Sequence, residues 1–331
     1  MKQIIIILLI CSIAVNAAGQ SLAGVTGKPD TSYNTNAAYR SVIKSHPTAT
    51  IVPEFQSASF KEKRNIVYTS LQTDSADRTL LLDVFCPKAK TTAKRTAIVI
   101  IHGGGWRSGN RSQHYPLAQH LANLGYVCFT PEYRLSTEAL YPAAVHDLKA
   151  AIRWVRKNAK KYDIDTAKIT VLGFSAGGEL AAFIGATNGK AEFEGGGANL
   201  HYSSKANAVI DIDGTLSFVH PESGEGDDSK RISAGTYWFG YSKKDNPALW
   251  MQASPLTHAG KTSPPTLFIN SSVERMHAGR EDFIRILNGF NIYTEVQTFN
   301  NSPHHFCLMN PWFEPTVKHI DDFLKKVFNH K

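Results

Sequence analysis

Cysteine is scarce in this chain, with four among 331 residues, and no two are spaced as a metal-binding pair. That excludes a disulfide-built scaffold and a thiolate zinc finger. If Cys11 is lost with a leader, Cys86, Cys128 and Cys307 remain, and they are expected to behave as small buried hydrophobes. Dense Lys/Arg runs are also missing. The formal net charge of +8 is spread along the chain, which argues against a nucleic-acid partner. No G-x-x-x-x-G-K-[ST] or G-x-G-x-x-G pattern accompanies the glycine cluster at 102–106, so that cluster is not a phosphate loop and no cofactor is expected. The acidic stretch "ESGEGDD" lacks the spacing of a calcium loop, so no metal is expected either. The longest apolar run, "IIIILLICSIAV", is too short for a comfortable membrane span.

That run follows "MKQ" and precedes "NA", which closes on the small residue Ala17, as a secretory signal peptide over residues 1–17 would. Export to the periplasm or the medium is the expectation, and Ile10 ahead of Cys11 speaks against lipidation. Loss of Lys2 would leave 35 basic and 28 acidic residues, a net of +7. A basic exported protein suits an acidic substrate such as a uronic-acid polymer, although the same excess could serve solubility alone. With 42% hydrophobic and 19% charged residues, the remainder has the composition of an ordinary soluble domain.

Residues 18–60 are rich in Ser, Thr, Asn, Gly and Ala and show little periodicity, so an extended N-terminal arm is expected there. Residues 61–331 form the expected catalytic domain. "NIVYTSL" and "TLLLDVFCP" form a hairpin pattern, and "AIVII", "YVCFTPEYRL", "AVIDI" and "TLFIN" are runs suited to buried strands. Between them, Val145, Leu148, Ile152 and Val155 keep helical spacing, as do Val317, Ile320, Leu324 and Val327 near the end. Alternating strands and helices predict an α/β fold, a mostly parallel sheet covered on both faces. Residues 217–261 break the alternation and are expected to form a cap insertion over the open end of the sheet.

In "ITVLGFSAGGELAAF" (169–183) an apolar strand runs into Ser175 between Gly173 and Gly177, and helix formers follow. This G-x-S-x-G pattern is a nucleophile elbow, a tight strand-to-helix turn that presents the serine. A serine hydroxyl needs a base, and "FNNSPHHFCL" places His304 where a loop can return to it, with His305 as the alternative. The acid is expected at Glu274, just past "TLFIN". Asp282, Glu281, Asp211 and Asp213 are further candidates for the acid. "HGGGW" (102–106) follows "AIVII", and its glycines let backbone N–H groups face a substrate oxygen. Gly104, Gly105 and Ala176 are the expected oxyanion donors.

HGGGW, "PEYRL" (131–135), "GFSAGG" (173–178) and the late H-x-F loop resemble the α/β-hydrolase fold, esterase/lipase branch, from about residue 65 onward. "HPESGEGDDSKR" (220–231), "SSVERMHAGR" (271–280) and "HHFCLMNPWFEPTV" (304–317) resemble bacterial exported carbohydrate esterases associated with pectin degradation. The resemblance implies a serine carboxylesterase removing methyl or acetyl groups from a polysaccharide or oligosaccharide ester. Competing readings are an acetylxylan or feruloyl-type esterase, a serine peptidase of the same fold, or a non-catalytic carbohydrate-binding protein with a decayed hydrolase fold. A uronate substrate would call on cations and on sugar-stacking faces, for which Arg275 and Trp106 are the candidates. The pattern specifies no oligomeric state.

Overall fold

The computed structural model describes residues 24–72 and 77–329, so the signal peptide expected over residues 1–17 lies outside the described residues. The arm is less extended than its composition suggests. Asn34 accepts a hydrogen bond from the Ala37 N–H and caps helix α1 (Thr35–Val42). Ala38 and Val42 bury one face of that helix in the same apolar cluster as Phe313 and Val317. Beyond it, β1 (Thr50–Ile51) pairs antiparallel with β10 (Met309–Asn310). Tertiary burial, absent from any local pattern, turns part of the arm into structure.

The central sheet comprises β2 (Phe60–Leu71), β3 (Arg78–Pro87), β4 (Arg95–Ile101), β5 (Val127–Pro131), β6 (Ile164–Phe174), β7 (Ala208–Ile212), β8 (Thr266–Asn270) and β9 (Thr294–Thr298). Their spatial order is β2-β3-β5-β4-β6-β7-β8-β9. β2 and β3 form the expected antiparallel hairpin and β3 runs antiparallel to β5. From β5 to β9 every neighbour is parallel, the arrangement expected of an α/β-hydrolase. The expected strand "YVCFTPEYRL" stops at Pro131, because the next residues leave the sheet to make side-chain contacts. Tyr133 stacks on His102 and donates its hydroxyl to the His102 carbonyl, while Arg134 grips Asp147 through two nitrogens.

β4 shows why the run Ala97–Ile101 is apolar throughout. Ala97, Val99 and Ile101 face one core with helices α3 (Ala143–Lys157) and α4 (Ala176–Ala186). Ile98 and Ile100 face the other, with α2 (Tyr115–Asn123) and the closing helix α9 (Phe313–Asn329). Period-two alternation thus feeds two cores, and no position is left for a polar side chain.

Between β7 and β8 the chain leaves the sheet and forms three short helices, α5 (Ala234–Phe239), α6 (Pro247–Gln252) and α7 (Pro255–His258), before α8 (Arg280–Gly289) follows β8. Phe218, Trp238, Phe239 and Trp250 pack this insertion into the core. Two of its acidic residues brace the start of α5, whose N-cap is Ser233. Asp228 accepts from the Ser233 N–H and the Thr236 hydroxyl, and Glu225 accepts from the Gly235 N–H. Cys86, Cys128 and Cys307 are buried and unpaired. Among the described residues no helix is long and apolar enough to cross a membrane.

Candidate active site

The nucleophile position begins with backbone geometry. β6 ends at Phe174, and Ser175 sits at φ 57°, ψ −122° before α4 begins at Ala176. This left-handed φ is rare for a residue with a side chain and stores strain at the turn. The flanking glycines are dictated by space. A Cβ on Gly173 would fall 1.8 Å from the Gly177 carbonyl oxygen, and one on Gly177 would fall 2.3 Å from the Ile101 oxygen. Strand, elbow and HGGGW loop can therefore meet only as backbone against backbone.

The other two members come from distant segments. His304 Nε2 lies 2.9 Å from Ser175 Oγ, and His304 Nδ1 lies 2.8 Å from Asp213 Oδ2. Asp213 directly follows β7 and is fully buried. Its Oδ1 accepts from the Ser271 N–H at 2.7 Å. Burial opposes the charge on Asp213, but contacts with His277, His304 and Ser271 outweigh it and hold the carboxyl well below the usual carboxylate range. His277 Nε2 is 3.6 Å from Asp213 Oδ1, long for a hydrogen bond, so the contacts from His304 and Ser271 weigh more. The arrangement is a serine, histidine and carboxylate relay in chain order Ser, Asp, His.

The expected acid Glu274 is therefore corrected to Asp213. Glu274, itself exposed, opens the 3₁₀ turn Glu274–His277 and makes no hydrogen bond to His304. Three more carboxylates near the site are engaged elsewhere. Glu281 pairs with Arg280, Asp282 pairs with Arg285, and Asp211 accepts from the Gly214 N–H. His304 rather than His305 reaches the serine. His305 stacks on Tyr33, and burial pushes its imidazole down to about 3.

Gly104 and Gly105 take φ 128° and 58°, conformations open to glycine. Their N–H groups and that of Ala176 donate to no other described protein group, which leaves them free for an anionic oxygen. The loop is braced from behind. The Gly103 N–H donates to Gln113 Oε1, and His102 Nδ1 lies 2.9 Å from the Gly103 oxygen, its imidazole lowered by burial to about 4.

Trp106 departs from its expected role as a stacking face. It is buried, lies parallel on Trp238 at 4.8 Å, and donates its Nε1–H to Glu179 Oε2 at 2.9 Å. Its surface toward Ser175 forms a wall of the pocket. Arg275 is exposed and lines the same pocket. Thr215, Glu225 and Met276 complete the lining. None of the three was singled out from sequence, although Glu225 and Met276 lie in the 220–231 and 271–280 stretches, because loops without periodicity do not show which side chain turns inward. Asp213 did carry one signal, its place directly after an apolar strand.

The pocket at Ser175 has a volume of about 80 Å³. Through Gly105, Glu225 and Arg275 it adjoins an open cleft of about 760 Å³ that Arg107, Lys230 and Arg231 also line. Among the described residues no three His, Cys, Asp or Glu side chains converge to hold a metal ion.

Comparison with known proteins finds similarity to esterases. Esterase LipC of Mycobacterium tuberculosis is 30% identical over 203 residues, covering 59% of this chain and 48% of LipC. The chain spans about half the length of the curated relatives it matches. A thermophilic esterase from Thermogutta terrifontis, solved with propionate bound, superposes with a TM-score of 0.63 at 26% identity, covering 82% of this chain and 95% of that one. A truncated carbohydrate esterase from gut microbiota shares the fold with a TM-score of 0.67 at 24% identity, covering 82% of this chain and all of that one. Residues 82–276 match the BD-FAE family, more than half of the sequence. With its elbow, glycine loop and parallel sheet assembled as described, the chain belongs to the BD-FAE family of α/β-hydrolases.

Proposed function

We propose that this protein is an exported serine carboxylesterase that removes methyl or acetyl groups from plant cell-wall polysaccharide, with pectin as the substrate. The observation that carries the chemistry is the continuous hydrogen-bonded relay from Ser175 through His304 to Asp213.

In this mechanism His304 Nε2 takes the hydroxyl proton as Ser175 Oγ attacks the ester carbonyl. Asp213 holds the imidazole with Nδ1–H toward it and stabilises the imidazolium. The tetrahedral oxyanion accepts from the N–H groups of Gly104, Gly105 and Ala176, each such donor contributing roughly 3–4 kcal/mol at the barrier. His304 returns the proton to the departing alkoxide, so an alcohol leaves and Ser175 is acylated. Water, deprotonated by His304, then releases the acid and regenerates the serine.

The size of the pocket supports a small group at the serine. About 80 Å³ accommodates a methoxy or acetyl group, and a sugar chain would lie in the larger cleft beside it. Arg275 supports a carboxylated sugar. It lines both spaces and, among the described residues, pairs with no carboxylate. An arginine fork so placed can hold a uronate. The likeness to a carbohydrate esterase is in keeping with this substrate class, and export would bring the enzyme to the polymer.

The test is release of methanol and acetate from methylated and acetylated pectins, with Ser175→Ala as control. Methanol lost in the variant establishes a methylesterase, and acetate lost in the variant establishes a deacetylase. If neither is released while a fluorophosphonate still labels Ser175, the serine chemistry stands and the pectin substrate is rejected.

A further inference from the structure

Six cations that lie far apart in the sequence meet in one groove. Lys61 and Lys63 project from the same face of β2, Lys88 and Lys90 follow β3, Arg95 opens β4, and Lys161 precedes β6. The groove has a volume of about 520 Å³. Two acids share it, Glu62 and Asp163, and Glu62 is already held by Arg64 and Gln119. Among the described residues none of the six cations has a carboxylate oxygen within 4.0 Å. Arg95 spends its guanidinium on the carbonyl oxygens of Ala89 and Gly125, and the five lysines are exposed.

The groove is separate from the active-site cleft. It opens at the N-terminal ends of β4 and β6, whereas the glycine loop and Ser175 follow their C-terminal ends. The seven residues of β4 span about 20 Å. A concave surface lined by one sign of charge concentrates ligands of the other sign. Single-stranded nucleic acids are usually met by exposed aromatic platforms as well. The one aromatic residue here, Tyr162, is buried with Lys161 over its ring.

We propose that this groove is an anchoring site for a carboxylated polysaccharide, holding one stretch of polymer while another stretch occupies the cleft at Ser175. The identity of the polymer rests on the function proposed above, whereas the gathering of cations does not. Contacts between lysines and carboxylates would make binding steeply salt-dependent, and a polymer longer than the cleft would gain from two points of attachment.

The experiment compares Ser175→Ala, which cannot turn over, with the same protein carrying Lys61→Glu, Lys88→Glu and Lys161→Glu. Binding of a polygalacturonate oligomer is titrated at about 50 and about 200 mM salt, with duplex DNA of matched charge alongside. The expected result is affinity for polygalacturonate weakened about tenfold or more by the charge reversals, with the salt slope reduced by about one per lysine removed. With Ser175 restored, the three reversals should leave hydrolysis of 4-nitrophenyl acetate and the melting temperature unchanged. Unaltered polygalacturonate affinity would overturn the proposal, as would DNA binding as tightly through the same lysines. If pectin proves not to be a substrate while polygalacturonate still binds through these lysines, the groove stands and the assigned substrate falls. If pectin is hydrolysed and the reversals leave binding intact, the groove alone is rejected.

Discussion

Trp106 donates its indole N–H to Glu179 Oε2 across 2.9 Å, and this bond ties together the two halves of the oxyanion site. Trp106 directly follows Gly105 and itself sits at φ 55°. Glu179 lies in the first turn of α4, where its N–H donates to the Ser175 carbonyl. The Glu179 carboxyl is buried, its Oε1 has no described partner, and burial raises it well above the usual carboxylate range. A protonated acid at this position supplies an acceptor without placing a negative charge behind a developing oxyanion.

Glu179→Gln should therefore keep kcat close to that of the parent, because an amide oxygen can still accept from the indole. Glu179→Ala leaves the indole N–H unpaired in the core, a cost of about 1–3 kcal/mol, and should lower kcat more than it raises KM. Trp106→Phe should lower kcat similarly, and the double variant should be no worse than either single one. Steady-state kinetics on a soluble ester checks this. Additive losses in the double variant would show that the two residues act independently.

The same carboxyl predicts a pH effect on stability. Its folded pKa is raised, so from an unfolded value of about 4.3 upward the unfolded state releases a proton that the native state retains. Stability from this group is present at low pH and is lost as pH rises toward the folded pKa. Glu179→Gln removes that loss. The variant should gain melting temperature relative to the parent at pH 8 and gain little at pH 4, as thermal melts across pH would measure. Equal shifts at both values would contradict the buried, protonated assignment.

Asp213→Asn should lower kcat by about 10⁴-fold, by favouring the wrong imidazole tautomer, while the fold is retained. Glu274→Gln should leave kcat unchanged, since Glu274 makes no hydrogen bond to His304. Comparing the two variants in one ester assay separates the candidates, and a large loss in Glu274→Gln would reverse the assignment.

Arg275→Gln should reduce kcat/KM on a partly methylated oligogalacturonate, whose unesterified sugars keep their carboxylates, by roughly 10- to 100-fold, the range expected for losing a hydrogen bond between charged groups. Hydrolysis of 4-nitrophenyl acetate, which carries no carboxylate, should be spared. Equal losses on both substrates would mean that Arg275 shapes the pocket without recognising charge.

Much of this architecture is legible along the chain. The elbow at Ser175, the glycines of the 102–106 loop and the return loop bearing His304 each depend on a short stretch. There, small residues, strand periodicity and helix formers dictate the backbone within a few positions. Trp106 is legible only in part. Its place beside the oxyanion glycines follows from sequence, but its burial against Trp238 depends on an insertion more than a hundred residues later.

The sequence by itself determined the layered α/β fold, the nucleophile, the loop that returns a histidine to it and the oxyanion loop, because the forces that form them act over neighbouring residues. Only the tertiary structure chose His304 over His305 and decided the acid. β7 and β8 lie side by side, and a loop beyond either could aim a carboxylate at His304. Asp213 holds the position because it is buried and its Oδ1 is fixed by the Ser271 N–H. The charge distribution was decided in the same way. Lysines scattered along the chain become one groove only when β2, β3, β4 and β6 bring their ends together, since charge sums through space and not along sequence.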